Sequence, residues 1–308
     1  LGERARRGFD CHYRFEVRAE LLDRAQATGF AALDCSVQIG LQSANPAVLT
    51  KVGRQLDPVD FARKIALLNE AGVVFGFDLI WGLPGDSLVG FRSSLDWALG
   101  LQPNHLDMFG LSVLPGTVLA GQAADFGLVW QAEPPYAVLS GPGFPESDMG
   151  SAAMLASATD LFYNHGRAVP WFVPVVQALG QKPSRFLDGY AGFLAGHPVA
   201  STESHLQIEA SQLAWLEQAS RSSPELFALI RDLVRFHGAC SRAFAEGEET
   251  VLDLEWDPQW LDSLETLDLR RFRQRIPQVA MTVRVFRRKG RVDVERLRST
   301  RGRRDGNR

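Results

Sequence analysis

The segment Val73-Val-Phe-Gly-Phe-Asp-Leu-Ile-Trp-Gly-Leu-Pro-Gly85 decides the fold. Val73 to Ile80 is a short apolar run that ends in a Gly/Pro turn, so it reads as a buried strand. Upstream of it, Asp57 supplies an N-cap and Pro58 a first helical position. Phe61, Ile65 and Leu68 then fall at i, i+4 and i+7, and Gly72 closes the helix. Downstream, Asp86-Ser87 opens a helix whose apolar face holds Phe91, Leu95 and Leu99, and Gly100 ends it. The same grammar extends both ways. Phe15 to Arg18 reads as a strand, followed by a helical stretch near Leu21 to Thr28 that stops at Gly29. Cys35 to Leu41 and His105 to Val113 are two further strands. Strands alternating with crossover helices predict a parallel sheet with helices outside it. Four such units cannot close a barrel, but they can form most of a partial one.

Composition bounds the rest. With 308 residues, 45% hydrophobic, 22% charged and a net charge of −3, the chain is not of the disordered class. It is long enough to bury a core without disulfides or structural metal. No apolar run reaches the eighteen or so residues that span a bilayer, so no membrane partner is expected. Cys11, Cys35 and Cys240 form no C-x-x-C pair, which excludes a zinc ribbon and points to a reducing, cytoplasmic setting. The chain begins at Leu1 and is expected to be a piece of a longer protein. Residues 287–308 hold ten Lys or Arg against three acids, a balance of +7, so residues 1–286 carry −10. A solvated, frayed tail is the expected reading of that end. The acidic body offers no face for phosphate backbones, and nucleic acid is not an expected partner.

After residue 120 the grammar changes. Glu133-Pro-Pro-Tyr136 and Gly141-Pro-Gly-Phe-Pro145 read as irregular loop. From about Glu146 to Glu246 the pattern is mainly helical. Its best element has Ser223 as cap and Pro224 at N1, with Leu226, Leu229, Ile230, Leu233, Cys240 and Phe244 at helical spacing. Leu252, Leu254, Trp256 and then Val279, Met281, Val283, Val285 alternate as a pair of half-buried strands. The expected fold is therefore α/β: a partial parallel (β/α) TIM-like barrel over 1–145, a helical region over 146–247, a small two-stranded β/α element over 248–286, and a basic disordered tail over 287–308.

In a parallel α/β sheet, ligands bind beyond the carboxyl ends of the strands. Polar residues placed there are Glu16 and Arg18, Gln42 and Ser43, Arg54, Asp78 with the turn Gly82-Leu-Pro84-Gly, and the loop Leu114-Pro115-Gly-Thr. An Arg fork suits a carboxylate, while carboxylates suit hydroxyls and an ammonium. Asp78 sits in an apolar strand, where an unpaired carboxylate is costly, so it must have a partner, either structural or a ligand. The glycines and prolines serve equally well as plain turns. His237 falls in an apolar stripe and reads as a core or boundary histidine; His12 and His105 flank strands, where they either face the site or are structural; His165, His197 and His205 have no metal-ligand spacing.

Together these motifs resemble the second half of a radical S-adenosylmethionine (SAM) domain. The pieces are Ser-Val-Gln-Ile-Gly-Leu-Gln-Ser at 36–43, Val-Gly-Arg at 52–54, Phe-Asp-Leu-Ile-Trp-Gly-Leu-Pro-Gly at 77–85, Phe-Gly-Leu-Ser-Val-Leu-Pro-Gly-Thr at 109–117, and Pro-Pro-Tyr at 134–136. The similarity is closest to radical SAM proteins with an upstream cobalamin-binding domain, and more distant to oxygen-independent coproporphyrinogen oxidases. It covers residues 12–145. It implies that Glu16, Gln42, Arg54 and Asp78 contact SAM, with Ser43, Gly82, Pro84, Leu114 and Pro115 in the flanking loops. It implies a [4Fe-4S] cluster, possible use of cobalamin, a reductant such as flavodoxin or ferredoxin, and a small-molecule substrate that the sequence does not identify.

The C-x-x-x-C-x-x-C loop that binds the cluster in this family is absent from the chain. The cluster's ligands are therefore expected outside it, no metal-ligating residue is assigned within it, and the fragment alone is expected to be inactive. The implied function is radical chemistry or cobalamin-dependent methyl transfer. The alternative is a non-catalytic barrel remnant that binds a nucleotide or a partner.

Overall fold

A computed structural model describes residues 11–263 and 268–299, which divide into two compact units between Asp160 and Leu161. In the first unit, β1 (Tyr13–Val17), β2 (Cys35–Gln42), β3 (Val74–Trp81) and β4 (His105–Gly110) form one sheet in the order β1-β2-β3-β4, all parallel. Helices α1 (Arg24–Ala31), α2 (Pro46–Lys51), α3 (Pro58–Ala71) and α4 (Leu88–Gly100) make the connections. This is the expected parallel α/β unit; its four strands stand as an open sheet.

Local chemistry explains most of the boundaries. Asp57 accepts from the backbone N–H of Val59 and Asp60, and Gly72 ends α3 in the left-handed region at φ 68°. The helix facing β2 does not stop at Gly29. Its start is set by Asp23 and Gln26, which cap each other's backbone N–H, and it runs on to Ala31. Strand β2 alternates strictly. Cys35, Val37, Ile39 and Leu41 are buried towards the helices, while Ser36, Gln38, Gly40 and Gln42 face the other way. Phe61, Ile65 and Leu68 of α3 and Phe91, Leu95 and Leu99 of α4 bury against that apolar face, each contributing about 1.5–3 kcal/mol. After β4 come α5 (Val118–Gln122), the short pair β5 (Val129–Trp130) and β6 (Val138–Ser140), and α6 (Glu146–Thr159). Helix α6 packs on α4, β4 and β6, so it belongs to the first unit.

The second unit holds α7 (Phe172–Ala178), α8 (Pro183–Gly196), α9 (His205–Ala219) and α10 (Pro224–Ala245), followed by β7 (Thr250–Leu254), α11 (Pro258–Leu261), α12 (Leu269–Arg275), β8 (Met281–Arg288) and β9 (Arg291–Ser299). Edge-to-face contacts of Phe162 with Trp171, Phe172, Phe186 and Tyr190 build its core. A buried polar cluster lies between α9 and α10. Arg242 donates to Glu209 at 2.6 Å and to Nδ1 of His205 at 3.0 Å. Burial, with the Arg167 and Arg242 charges, pulls the His205 imidazole down to about 4, so it is neutral at physiological pH.

Three expectations are corrected here. The terminal β element has three antiparallel strands, in the order β7-β8-β9. The stretch expected to be a disordered tail begins inside β8 and continues through β9; only residues 300–308 of it lie outside the described residues. The hairpin closes through Lys289 and Gly290, both at positive φ (49° and 78°), the conformation that a two-residue hairpin turn requires. Phe244 is not on the buried stripe of α10: it is exposed, and Phe236 and Ala243 are buried instead. His237 sits at the boundary as expected, bonded to the Leu261 carbonyl oxygen.

Candidate functional site

The carboxyl ends of β1 and β2 open into a cavity of about 400 Å³. Small-molecule sites typically fall between about 300 and 1,000 Å³. Glu16 and Arg18 lie on one side of the cavity, Gly40 and Leu41 form its floor, and Arg54, Asp57, Phe61 and Lys64 come from the α2–α3 loop and α3. Of the sequence-predicted residues, Glu16 and Arg54 line this cavity together. Two bonds position Arg54: its backbone N–H donates to the Leu49 carbonyl oxygen at 2.9 Å, and its Nη1 to the Gly40 carbonyl oxygen at 3.0 Å. Lys64 is held in the lining by the Glu20 carbonyl oxygen at 2.6 Å and by the Asp60 carboxylate at 3.1 Å. The two salt bridges to Arg63 and Lys64 hold the half-buried Asp60 carboxyl below the usual carboxylate range. The cavity thus offers cations, carboxylates and an apolar wall of Leu41, Leu49, Leu56 and Phe61.

Asp78 does not line the cavity but is adjacent to it. It is paired in register with Gly40, whose carbonyl oxygen receives Arg54. Its partner is a side chain: Nε2 of Gln38 donates to Asp78 Oδ1 at 2.6 Å. Burial raises the Asp78 carboxyl above its ordinary range, the Gln38 bond opposes this, and the Asp107 and Glu16 charges add to it. Gln42 lies at the irregular end of β2, where the pairing with β3 shifts register, and its φ is 64°. Ser43 is fully buried. Its Oγ accepts from the Asn45 N–H and lies 3.3 Å from the Oγ of Ser94, so it fastens the loop to α4. Gly82 and Pro84 are buried in the turn after β3, while Leu114 and Pro115 are exposed in the loop after β4. None of these six residues lines the cavity.

Sequence reasoning missed Gln38, Asp107 and Arg14. Gln38 also donates to Asp107 Oδ2 at 3.2 Å, His105 Nε2 lies 2.8 Å from Asp107 Oδ1, and Arg14 is 3.8 Å from Asp107. The only signal for them was strand alternation, which places Gln38 on the same face as Gln42.

No family model matches the chain. A segment of 80 residues is 31% identical to the heme chaperone HemW of Buchnera aphidicola, covering 26% of this chain and 21% of that protein. Another, of 87 residues, is 32% identical to HemW of Escherichia coli K12 and covers 28% and 23%. A third, of 112 residues, is 35% identical to the oxygen-independent coproporphyrinogen III oxidase of E. coli K12 and covers 35% and 22%. The chain thus spans less than a quarter of the length of these curated relatives. Among solved structures, it is similar to E. coli coproporphyrinogen III oxidase (HemN), a radical SAM enzyme. That match has a TM-score of 0.37 at 22% identity and covers 47% of this chain and 31% of that one. It is also similar to the radical SAM methyltransferase TsrM of Kitasatospora setae, with cobalamin and a [4Fe-4S] cluster bound, at a TM-score of 0.36 and 20% identity, covering 47% and 28%. The sequence similarity over these segments is to HemW and to oxygen-independent coproporphyrinogen III oxidase.

Proposed function

We propose that the first unit is the SAM-binding part of a radical SAM enzyme, belonging to a partial (β/α) barrel, and that SAM is held at the carboxyl ends of β1 and β2. The observation that carries this is the joint presence of Glu16 and Arg54 on one cavity, with Asp78 in register beside its floor. In this reading Arg54 pairs with the methionyl carboxylate, since a guanidinium fork matches a carboxylate. Glu16 takes the ammonium group, and Asp78 accepts from ribose hydroxyls. The apolar wall around Leu41, Leu49 and Phe61 receives the adenine. When bound, SAM supplies the sulfonium carbon bond whose cleavage starts radical chemistry; the residues of this chain bind and orient it.

The described residues do not fit the iron–sulfur cluster. Cys11 is exposed, Cys35 is buried with its thiol pushed up by burial and by Asp34, and the Cys240 thiol, in the second unit, is pushed up to about 12. Inert thiols of this kind are poor metal ligands. No group of three His, Cys, Asp or Glu among the described residues could hold a metal ion. No step of the proposal therefore runs through the cluster, and cobalamin enters only through the sequence resemblance. The second reading is a non-catalytic module that binds SAM or a related nucleoside. No helix among the described residues is long and apolar enough to cross a membrane.

Calorimetric titration of SAM into the chain tests both readings. A saturable single site is expected. An absence of binding at millimolar SAM, from a chain that unfolds cooperatively, contradicts both.

A further inference from the structure

We propose that Gln38 is the positioning residue for Asp78: one side-chain amide, laid across β3 in the room that Gly76 leaves, ties Asp78 to Asp107 and fixes how Asp78 meets its ligand. This rests on the SAM reading above and adds to it a residue to which the resemblance gave no role.

The geometry is specific. A primary amide has two N–H donors, and Nε2 of Gln38 lies 2.6 Å from Asp78 Oδ1 and 3.2 Å from Asp107 Oδ2. Each donor is satisfied by a different carboxylate, on β3 and on β4. Two carboxylates on neighbouring strands repel, and a shared donor between them relieves that repulsion. The far oxygen of Asp107 is occupied by His105 Nε2 at 2.8 Å, so the second anchor is itself held. Gly76 makes the crossing possible. A Cβ on Gly76 would lie 2.6 Å from Gln38 Oε1 and 3.0 Å from the His105 carbonyl oxygen, so any larger residue would displace the amide.

The groups facing Asp78 act in known directions. Asp107 of β4 and Glu16 of β1 push its carboxyl up, as burial does, while the Gln38 bond and the Arg14 charge of β1 push it down. Removing the amide leaves the upward influences less opposed. A glutamine that packed beside Asp78 without donating to it would leave the titration of Asp78 where it is.

The experiment is a pH titration of Asp78 by carboxyl carbon NMR, read in the chain and in Gln38→Leu, with SAM affinity measured across the same pH range. The Asp78 midpoint is expected to rise by about one pH unit in the variant, the equivalent of one lost hydrogen bond. The pH at which SAM binding falls to half its plateau is expected to rise by the same amount. Asp107→Asn, which removes the repelling charge, is expected to lower the midpoint, and it serves as the test if Gln38→Leu does not fold. An unmoved Asp78 midpoint in the folded variant overturns the assignment whatever SAM does. A moved midpoint in a chain that never binds SAM upholds the clamp and overturns the SAM site instead.

Discussion

Replacing Glu209 with alanine is expected to destabilise the second unit by about 3–5 kcal/mol, because it strands one half of a buried ion pair. Arg242 is 2% exposed, and its Nη1 donates to Glu209 at 2.6 Å. The other groups beside the guanidinium are weaker partners. His205 offers a neutral nitrogen, and Glu248 stands 3.5 Å from the guanidinium on its solvent side, 40% exposed. Alanine thus leaves a buried guanidinium with Glu248 as its one remaining carboxylate among the described residues, at 3.5 Å and without the short bond that Glu209 makes. Replacing both members, as in Glu209→Met with Arg242→Leu, is expected to restore most of the loss, because apolar groups of similar size remove the desolvation cost from both sides. Urea unfolding followed by tryptophan fluorescence, with Trp171 and Trp256 buried in this unit, reads the difference. An alanine variant within 1 kcal/mol of the parent would mean that water already reaches Arg242.

Arg54→Ala is expected to weaken SAM binding by about 1.5–3 kcal/mol, roughly ten- to a hundred-and-fifty-fold in Kd, the usual worth of a hydrogen bond to a charged group. Fold stability should change by less than about 1 kcal/mol, since Arg54 is exposed, alanine keeps its backbone bond to the Leu49 carbonyl oxygen, and the side-chain bond lost is the one to the Gly40 carbonyl oxygen. Arg54→Lys keeps the charge but loses the fork, and should fall between the two. Thermal melts and SAM titrations on the same samples separate the effects. A variant that melts far below the parent would make Arg54 a structural brace for β2 rather than a ligand group.

How much of this was legible in the sequence depended on whether the signal was local. The α3 boundaries were, because Asp57, Pro58 and Gly72 each act within one helical turn. The strands of the first sheet were, because Phe75, Phe77 and Leu79 need burial on one face. Strand β9 was not. Its sequence, Arg291-Val-Asp-Val-Glu-Arg-Leu-Arg-Ser299, looks like a charged tail by composition, yet it pairs along the whole of β8 once Lys289-Gly290 makes the turn. The site divided the same way. Glu16 and Arg54, which both line one cavity, could be placed at strand ends and loops from the sequence. The Gln38 clamp could not, because whether Gln38, Asp78 and Asp107 meet depends on the register of three strands, and Gly76 shows its role only once the register is known.

Everything proposed for the first unit depends on where the nucleoside settles. Amide NMR of the isotope-labelled chain, recorded as SAM is added, locates it directly. The strongest shifts are expected at Glu16 to Glu20, at Gly40 and Leu41, and at Arg54 to Leu56. Shifts confined to the second unit, or spread evenly over the surface, would contradict the account.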